Sequence, residues 1–224
     1  MENKTCAIIA AYNEEKSLEN ILNNTLNHVD TPIVIDDGST DRTAEIAKGY
    51  SNRGVITLLQ GLNCGKADAL RRGINYAIKN GYDTLVTLDA DGQHLPSEIP
   101  LLVNELKKGY DMIIGKRDFN KMPLANKIAN IIDCSIISFL ARQRIYDSQS
   151  GFRAMKSSLF KERRINLSEP RFAMESQIII EAALNNYKIG FAGISTIYFK
   201  ERKSKIKINQ QAKDYLRLYS KYMF

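Results

Sequence analysis

The 224-residue chain contains no tryptophan, only three cysteines and only two histidines. Cys6, Cys64 and Cys134 lack the paired spacing that is typical of zinc ligands or of a disulfide framework. We therefore expect no zinc site built from cysteine and histidine, and we expect reduced thiols in a cytoplasmic protein. Neither His28 nor His94 is expected to be catalytic.

Proline and glycine are also scarce, with 5 and 13 residues, which excludes a collagen-like or linker-like chain. The 44% of apolar and 25% of charged residues are ordinary values for a folded domain and exclude disorder for most of the chain. A length of 224 residues fits one large α/β domain with at most a short appendage.

Long hydrophobic runs are missing as well. The longest, residues 128–140, is interrupted by polar side chains and is too short to cross a bilayer. The first residues lead directly into a predicted strand, without the pattern of a signal peptide. We therefore expect any contact with a membrane to be peripheral and on its cytoplasmic face.

Acidic residues are in the minority, with 25 Asp and Glu against 32 Lys and Arg, which gives a net charge of +7. A basic surface favours an anionic partner such as a nucleotide, a phosphorylated lipid, a membrane surface or a nucleic acid. Net charge alone does not choose between these partners, because it also aids solubility.

Strand and helix patterns alternate through the first half of the chain. The predicted strands cover residues 5–11, 32–36, 54–60, 83–88 and 111–115, and the predicted helices cover residues 17–28, 41–49, 66–80 and 97–108. This alternation predicts an α/β fold in which a mostly parallel sheet is sandwiched by helices. Ligands of such sheets bind at the carboxyl ends of the strands.

The second half of the chain has a less regular pattern. We predict helices over residues 123–142, 172–186 and 211–224, a turn and short strand over 147–155, and a strand over 188–199. The first of these helices carries an apolar stripe that is more typical of a core than of a membrane surface: Ile128, Ile131, Ile132, Ile136, Phe139 and Leu140. Residues 1–208 are expected to form the main domain, and residues 209–224 an amphipathic helix that could face a membrane or a partner.

Two carboxylates, Asp89 and Asp91, follow a buried strand on either side of Ala90. Carboxylates this close repel one another unless a hard divalent cation binds between them, and Gln93 offers a further oxygen ligand. The motif therefore predicts a Mg²⁺ or Mn²⁺ site that bridges a diphosphate. The alternative is a polar loop in which an aspartate caps the next helix.

Two other loops follow strands that are expected to end at the same edge of the sheet. A tight turn accounts for Gly38, and a helix cap accounts for Ser39. Neither accounts for the adjacent acids Asp36 and Asp37. A carboxylate at this position can accept hydrogen bonds from a nucleotide base or ribose. Residues 12–15, Tyr-Asn-Glu-Glu, either open the next helix or form a wall against the base.

Basic residues supply the remaining candidates. Arg117 follows the fifth strand and is either a phosphate ligand or an exposed loop residue. Arg202 and Lys205, in a basic segment, have the same two interpretations. The segment 61–66 ends in Gly-Lys but lacks the order of a Walker A loop, so we reject that interpretation for Lys66.

Taken in order, these motifs resemble those of the polyprenyl-phosphate sugar transferases, and most closely the dolichol-phosphate mannose synthase and glucosyltransferase group. The matching segments are AAYNEE, VIDDGSTDRT, GKADALRRG, DADGQHLPSEI, IGKR, DSQSGFRAM and FKERKSK. They run from Thr5 to Lys205. The resemblance implies an inverting glycosyltransferase of the GT-A fold.

The resemblance also implies roles for individual residues. Ala10, Tyr12, Glu14 and Asp37 would line the nucleoside pocket, Asp89 and Ala90 would lie along the donor, and Asp91 and Gln93 would hold the metal. Arg117, Arg202 and Lys205 would bind the phosphates of donor and acceptor, and Ser150, Gly151 and Arg153 would shape the acceptor side. The chain departs from the family pattern at Ala10, where proline is usual, and in the shorter spacing from Arg202 to Lys205.

Other family features are missing. The membrane-spanning helices of many relatives are not seen, so a separate anchoring subunit is conceivable. The Q-x-x-R-W signature of processive polysaccharide synthases is absent, since the chain has no tryptophan.

The leading hypothesis is therefore metal-dependent transfer of a sugar, with inversion, from GDP-mannose or a UDP-hexose to a polyprenyl or dolichyl phosphate. A phosphate acceptor is already ionised near neutral pH, its second pKa being about 6, and needs cations rather than a base. The alternative is a hydroxyl acceptor, for which Glu175 or Asp147 would act as the base. A non-catalytic nucleic-acid or membrane-binding module is a third interpretation, and an acidic edge argues against nucleic acid as a partner.

Overall fold

The computed structural model describes residues 3–161, 165–197 and 208–223. Its sheet contains β1 (Thr5–Ala11), β2 (Thr31–Asp36), β3 (Ile56–Leu59), β4 (Thr84–Asp89), β5 (Met112–Lys116), β6 (Arg153–Lys156) and β7 (Ile189–Gly193). The order is β3-β2-β1-β4-β6-β5-β7. Within the described residues only β6 runs antiparallel to its neighbours, which confirms the expected mostly parallel sheet.

Helices cover both faces of this sheet. They are α1 (Leu18–Thr25), α2 (Thr43–Gly49), α3 (Lys66–Lys79), α4 (Ile99–Lys107), α5 (Leu124–Leu140), α6 (Ala173–Leu184) and α7 (Ile208–Met223). Successive side chains of a strand point to opposite faces, so Ile8 belongs to the core that also contains residues of α3, α5, α6 and α7, whereas Ile9 belongs to the core that contains residues of α1, α2 and α4. Gly73 lets α3 lie close to the sheet, because a Cβ there would be 2.4 Å from Ile8 Cγ2.

Several predicted helices and strands were longer than the observed ones. The helix predicted from residue 41 begins at Thr43, because the carboxylate of Asp41 accepts hydrogen bonds from the Thr43 N–H and hydroxyl at 3.0 and 2.5 Å. The strand predicted over 188–199 ends at Gly193. Residues 198–207, which include Arg202 and Lys205, lie outside the described residues.

The predicted burial of the α5 stripe was wrong for Ile128, Ile131, Ile132 and Phe139, whereas Leu140 is buried and Ile136 is half-buried against the core. The buried face of α5 instead carries Asn130, Asp133, Cys134, Ile137 and Leu140. The exposed apolar side chains of this helix are Leu124, Ile128, Ile131, Ile132 and Phe139, and we call them the outer face of α5. Leu124 and Phe139 are 72% and 74% exposed.

The closing helix α7 packs its apolar side against α5 and α6. Leu218 is fully buried, and the hydroxyl of Tyr219 donates a hydrogen bond to Asp133 on α5. Arg171, just before α6, donates two hydrogen bonds of 2.6 Å to Asp214. In the described parts of the chain, no helix combines the length and apolar character needed to cross a membrane.

Candidate active site

The carboxyl ends of β1, β2 and β4 meet at one edge of the sheet, as the alternating pattern predicted. Ala10 lies opposite Asp89 in the pairing of β1 with β4, and Ala11 lies opposite Asp36 in the pairing of β1 with β2. The three acidic or polar loops that follow these strands therefore converge on one cleft edge.

The first loop, residues 12–15, is fixed to the loop that follows β2. The N–H of Asn13, which has a φ of 54°, donates to Ser39 Oγ at 3.0 Å, and the N–H of Thr40 donates back to Asn13 Oδ1 at 2.8 Å. The N–H of Glu14 donates to Thr43 Oγ1 at 2.8 Å. Ser39 and Thr43 thus hold Tyr12 and Glu14 at the cleft, a role that local sequence patterns do not reveal.

Asp37 fixes the next loop, residues 61–65, which leads into α3. Its buried carboxylate accepts hydrogen bonds from Gln60 Nε2 (2.8 Å) and from the N–H groups of Cys64 (2.8 Å) and Gly65 (2.9 Å). Burial raises the pKa of Asp37, and these hydrogen bonds oppose the rise only in part. Gly38 permits the close approach, since a Cβ there would lie 2.5 Å from the Leu62 carbonyl carbon and its φ is +71°.

At the centre of the site, Lys66 joins the end of β4 to the start of α6. Its Nζ lies 2.6 Å from Asp89 Oδ1 and 3.3 Å from Glu175 Oε2, and 5.4 Å from the ring centre of Phe172. These partners come from the end of β4 and the start of α6. The sequence pattern led only to a rejected Walker A interpretation of Lys66 and did not reveal this role, because the two partners lie 23 and 109 residues further along the chain.

The ion pair keeps both groups charged. Burial lowers the pKa of Lys66, but Asp89 and Glu175 outweigh burial and hold it well above its usual value. Burial raises the pKa of Asp89, but the ammonium of Lys66 outweighs burial and brings this pKa to about 2. Asp89 is therefore a carboxylate whose charge is largely compensated by Lys66.

Gly151 lies against these three charged groups. A Cβ at this position would be 2.9 Å from Lys66 Nζ, 3.0 Å from Asp89 Oδ2 and 3.1 Å from Glu175 Oε1. The Gly151 carbonyl accepts a hydrogen bond of 2.8 Å from Thr87 Oγ1 on β4, which fixes its position. Glycine at this point allows the loop before β6 to close over the ion pair.

We expect Gly151→Ala to reduce catalytic turnover by about 10²-fold, because displacing reacting groups by an ångström has effects of this size. The three charged side-chain ends would have to move, whereas the backbone would not, so the melting temperature should change little. Gly49→Ala is the control, since a Cβ there meets no atom within 4 Å. Unchanged turnover in Gly151→Ala would show that the geometry of the ion pair is not critical.

Asp91 lies at the turn after β4. The N–H of Gln93 donates to its Oδ1 at 3.0 Å, and Gln93 Nε2 donates to its Oδ2 at 2.9 Å. The buried carbonyl of Ala90 accepts a hydrogen bond of 2.6 Å from Ser17 Oγ. The sequence-predicted residues Asp89, Ala90, Asp91 and Gln93 are thus together in one ordered turn.

His94 supports this turn rather than the chemistry. Its Nδ1 accepts a hydrogen bond of 3.1 Å from the N–H of Asp89, and its ring stacks on Phe152 with centres 5.2 Å apart. Burial lowers the pKa of His94, which suits a neutral imidazole that accepts at Nδ1. These contacts assign His94 to the support of the turn, and its lack of a catalytic role stays a prediction.

Arg117 forms an ion pair with the fully buried Asp147. Its Nε and a terminal guanidinium nitrogen donate to the two carboxylate oxygens at 2.8 and 2.9 Å, and Asn130 Nδ2 donates to the same group at 3.0 Å. Burial raises the pKa of Asp147, but Arg117 outweighs it and holds this pKa below the usual range. Arg117 directly follows β5, which runs parallel to β4, so the arginine lies at the same edge of the sheet.

The segment 147–151 connects this pair to the rest of the site. Arg153 is buried and donates to the carbonyls of Ser150 (2.8 Å), Glu175 (2.7 Å) and Ser148 (2.9 Å). Arg153 therefore shapes the loop from inside. Ser150 Oγ is buried and has no hydrogen-bond partner among the residues that the structure describes.

Most of the sequence that forms this site matches a known protein family. Residues 6–164 match the family model described as "Glycosyl transferase family 2". The match begins in β1 and includes all the strand-end loops described above. The chain belongs to glycosyltransferase family 2. It is therefore an enzyme of the kind that the motif resemblance implied.

Similar proteins also point to the polyprenyl-phosphate sugar transferases. The UDP-N-acetylglucosamine–dolichyl-phosphate N-acetylglucosaminyltransferase of Methanococcus voltae is 35% identical over 212 residues, which cover 85% of this chain and 84% of the relative. An undecaprenyl-phosphate 4-deoxy-4-formamido-L-arabinose transferase of Edwardsiella ictaluri is 32% identical over 163 residues, which cover 69% of this chain and 49% of the relative. Each name includes a polyprenyl phosphate, dolichyl phosphate in the first and undecaprenyl phosphate in the second. The names thus confirm the resemblance to the polyprenyl-phosphate sugar transferases.

The GT-A fold is confirmed by solved structures. Glucosyl-3-phosphoglycerate synthase of Mycobacterium tuberculosis, in complex with Mn²⁺, uridine diphosphate and glucosyl-3-phosphoglycerate, aligns with a TM-score of 0.71 at 17% identity. The alignment covers 96% of this chain and 77% of the synthase. At this level of identity the likeness shows the fold.

The residues of this family 2 site fit a divalent cation that is held jointly by the protein and by the phosphates of a substrate. Across residues 3–161, 165–197 and 208–223, no group of three or more His, Cys, Asp and Glu side chains is arranged to hold a metal unaided. Mg²⁺ is commonly held by one or two carboxylates together with substrate phosphates, so such a group is not required. Asp91 has a carboxylate at the end of β4, held by hydrogen bonds from Gln93, whereas Asp89 already has Lys66 as its counterion.

Proposed function

We propose that this enzyme transfers a sugar, with inversion, from a nucleotide sugar to a polyprenyl phosphate, and that it requires Mg²⁺ or Mn²⁺. The observation that carries the proposal is that the two carboxylates named above as candidate bases are already engaged in ion pairs. Glu175 pairs with Lys66, and Asp147 pairs with Arg117. A phosphate acceptor needs no base, whereas a hydroxyl acceptor does.

The donor side is assigned to the strand-end loops. Ala10, Tyr12, Glu14 and Asp37 would surround the nucleoside, and Asp89 and Ala90 would lie along the diphosphate. The fixed loops 12–15 and 61–65 favour this assignment, because they hold these residues in place before a ligand arrives. The name of the Methanococcus voltae relative places UDP-N-acetylglucosamine among the first donors to test, with other UDP-hexoses and GDP-mannose.

Asp91 and Gln93, with Asp89 beside them, would hold the metal, which when bound neutralises charge on the diphosphate leaving group. Lys66 keeps Asp89 ionised and in place. Arg117 supplies a cation near the same edge, and it would orient either the diphosphate or the acceptor phosphate. Arg202 and Lys205 are proposed to join it, and both lie outside the described residues.

A hydroxyl acceptor remains the second candidate. It would require Glu175 to leave Lys66, or Asp147 to leave Arg117 and Asn130, before either carboxylate could accept a proton. Asp147 is the less suitable base, because Arg117 lowers its pKa.

The transfer assay separates these candidates. The purified protein is incubated with Mn²⁺, a radiolabelled UDP- or GDP-sugar, and either farnesyl phosphate or farnesol, and the label in the organic extract is counted. We expect label only with farnesyl phosphate. Equal transfer to farnesol, or transfer to neither lipid with any donor, would contradict the proposal.

The outer face of α5 is proposed to rest on a membrane surface, where a polyprenyl phosphate would reside. Exposed apolar patches of this kind mark membrane or protein contacts. Lys121 and Lys127 lie near the start of the helix and Arg142 follows its end, which suits an anionic lipid surface. A separate anchoring subunit could cover the same face.

We expect the protein to float with vesicles that contain phosphatidylglycerol, and the variant Ile128→Glu/Phe139→Glu to stay in the soluble fraction. Both positions are exposed, so the fold should persist. Leu101→Glu is the control, because this 41% exposed residue lies on α4, across the sheet. Absence of flotation of the unmodified protein at low salt would remove the membrane proposal, and an anchoring subunit would then be sought.

A further inference from the structure

A groove beside Arg117 is not used by the site described so far. It has a volume of about 450 Å³ and runs between the end of β5 and one side of α5. We call it the β5–α5 groove, and it is lined by Lys116, Phe119, Ile131, Cys134, Ser135, Ser138, Arg144, Ile145 and Tyr146.

One part of the groove is cationic. Lys116 Nζ and the Arg144 guanidinium carbon lie 4.8 and 4.9 Å from the ring centre of Tyr146, so that two positive charges share one aromatic ring. Counting only partners that the structure describes, neither cation has a carboxylate within 4 Å. Both are exposed, and uncompensated positive charges at the rim of a groove attract an anion.

The other part of the groove is apolar. Phe119, Ile131 and Ile145 contribute hydrocarbon surface. Ile131 is 45% exposed and also belongs to the outer face of α5, so this surface continues from the groove onto the helix. The ligand that matches both parts carries an anionic head on a hydrocarbon chain.

We propose that the β5–α5 groove is a capture site for the acceptor lipid, and this proposal rests on the proposed function. Lys116 and Arg144 bind the phosphate of an isoprenoid phosphate, and the apolar wall binds its first isoprene units. Arg117, the next residue after Lys116, then receives the phosphate at the donor edge. The groove thereby accounts for selection of a lipid phosphate over a water-soluble phosphate.

Calorimetric titration without any donor tests this site directly. We expect farnesyl phosphate to bind the unmodified protein more tightly than either inorganic phosphate or farnesol. Lys116→Ala/Arg144→Ala should weaken this binding by about tenfold or more, because contacts with a charged group are lost. The matched control, Lys79→Ala/Lys107→Ala, removes two exposed lysines elsewhere and should bind normally.

Kinetics with farnesyl phosphate give a second measurement. We expect the Lys116→Ala/Arg144→Ala variant to show a raised KM for the acceptor, with the KM of the donor and kcat little changed. Ile131→Ser should reduce the preference for farnesyl phosphate over a short alkyl phosphate. An unchanged acceptor KM in the double variant, with normal transfer by the unmodified protein, would overturn the groove but leave the proposed function intact.

Bulk anionic lipid is the competing occupant, and vesicles distinguish it. The double variant should float with phosphatidylglycerol vesicles as the unmodified protein does, since the outer face of α5 is intact. Loss of flotation combined with normal farnesyl phosphate binding would assign the two cations to lipid headgroups and overturn the proposal. Failure of the unmodified protein to transfer sugar to any isoprenoid phosphate would instead overturn the proposed function.

Discussion

Asp91→Asn is expected to lower sugar transfer by about 10²–10³-fold, the range seen when one group that stabilises developing charge is removed. Asparagine retains one acceptor oxygen but loses the negative charge that a divalent cation requires. Its amide would also meet Gln93 Nε2, which now donates to Asp91 Oδ2 at 2.9 Å, so two donors would face each other.

The measurement is the initial rate of transfer as a function of Mn²⁺ concentration. We expect Asp91→Asn to need far more Mn²⁺ and to remain slow at saturation. Asp30→Asn is the matched control, because Asp30 hydrogen bonds to Thr5 at the other end of β1 and lies far from the site. Full activity of Asp91→Asn at low Mn²⁺ would be incompatible with a metal at this residue.

Lys66→Met is expected to damage both stability and activity. It leaves the carboxylates of Asp89 and Glu175 facing one another without the ammonium that lies 2.6 and 3.3 Å from them. Removing one partner of a largely buried ion pair lowers the free energy of unfolding by about 3 kcal/mol. Turnover should fall by roughly 10²-fold, because Asp89 and the loop before β6 would lose their common contact.

Urea denaturation and steady-state kinetics separate the two effects. Lys66→Met/Glu175→Gln should regain much of the lost stability, since one unpaired carboxylate is removed, but it should not regain turnover. Lys66→Arg keeps the charge and should retain more activity than either. A Lys66→Met enzyme as stable and active as the unmodified protein would show that the ion pair does not organise the site.

The fold and the convergence of the strand-end loops could be predicted because they depend on short-range patterns. Alternating strands and helices fix a parallel sheet, and the loops containing Asp37 and Asp91 follow strands whose ends must coincide. The partners of these residues could not be predicted in the same way. Asp89 meets Lys66 and Arg117 meets Asp147 only through the tertiary fold.

The error at α5 has a similar cause. An amphipathic pattern shows that a helix has an apolar side, but it does not show which side meets the protein. The buried side of α5 carries Asn130 and Asp133, which hydrogen bond to Asp147 and Ser148. Polar residues are buried there because the loop before β6 satisfies their hydrogen bonds, and Ile128, Ile131 and Ile132 are left outside.

The single reversed strand, β6, has a wider consequence. β6 begins at the edge of the sheet where β4 and β5 end. The segment before β6, which includes Gly151, therefore enters the site from the opposite direction. Insertions in that segment would not alter the register of β1, β2 or β4. Under the proposed function, acceptor preference can therefore diversify during evolution without a change in the strand ends assigned to the nucleotide.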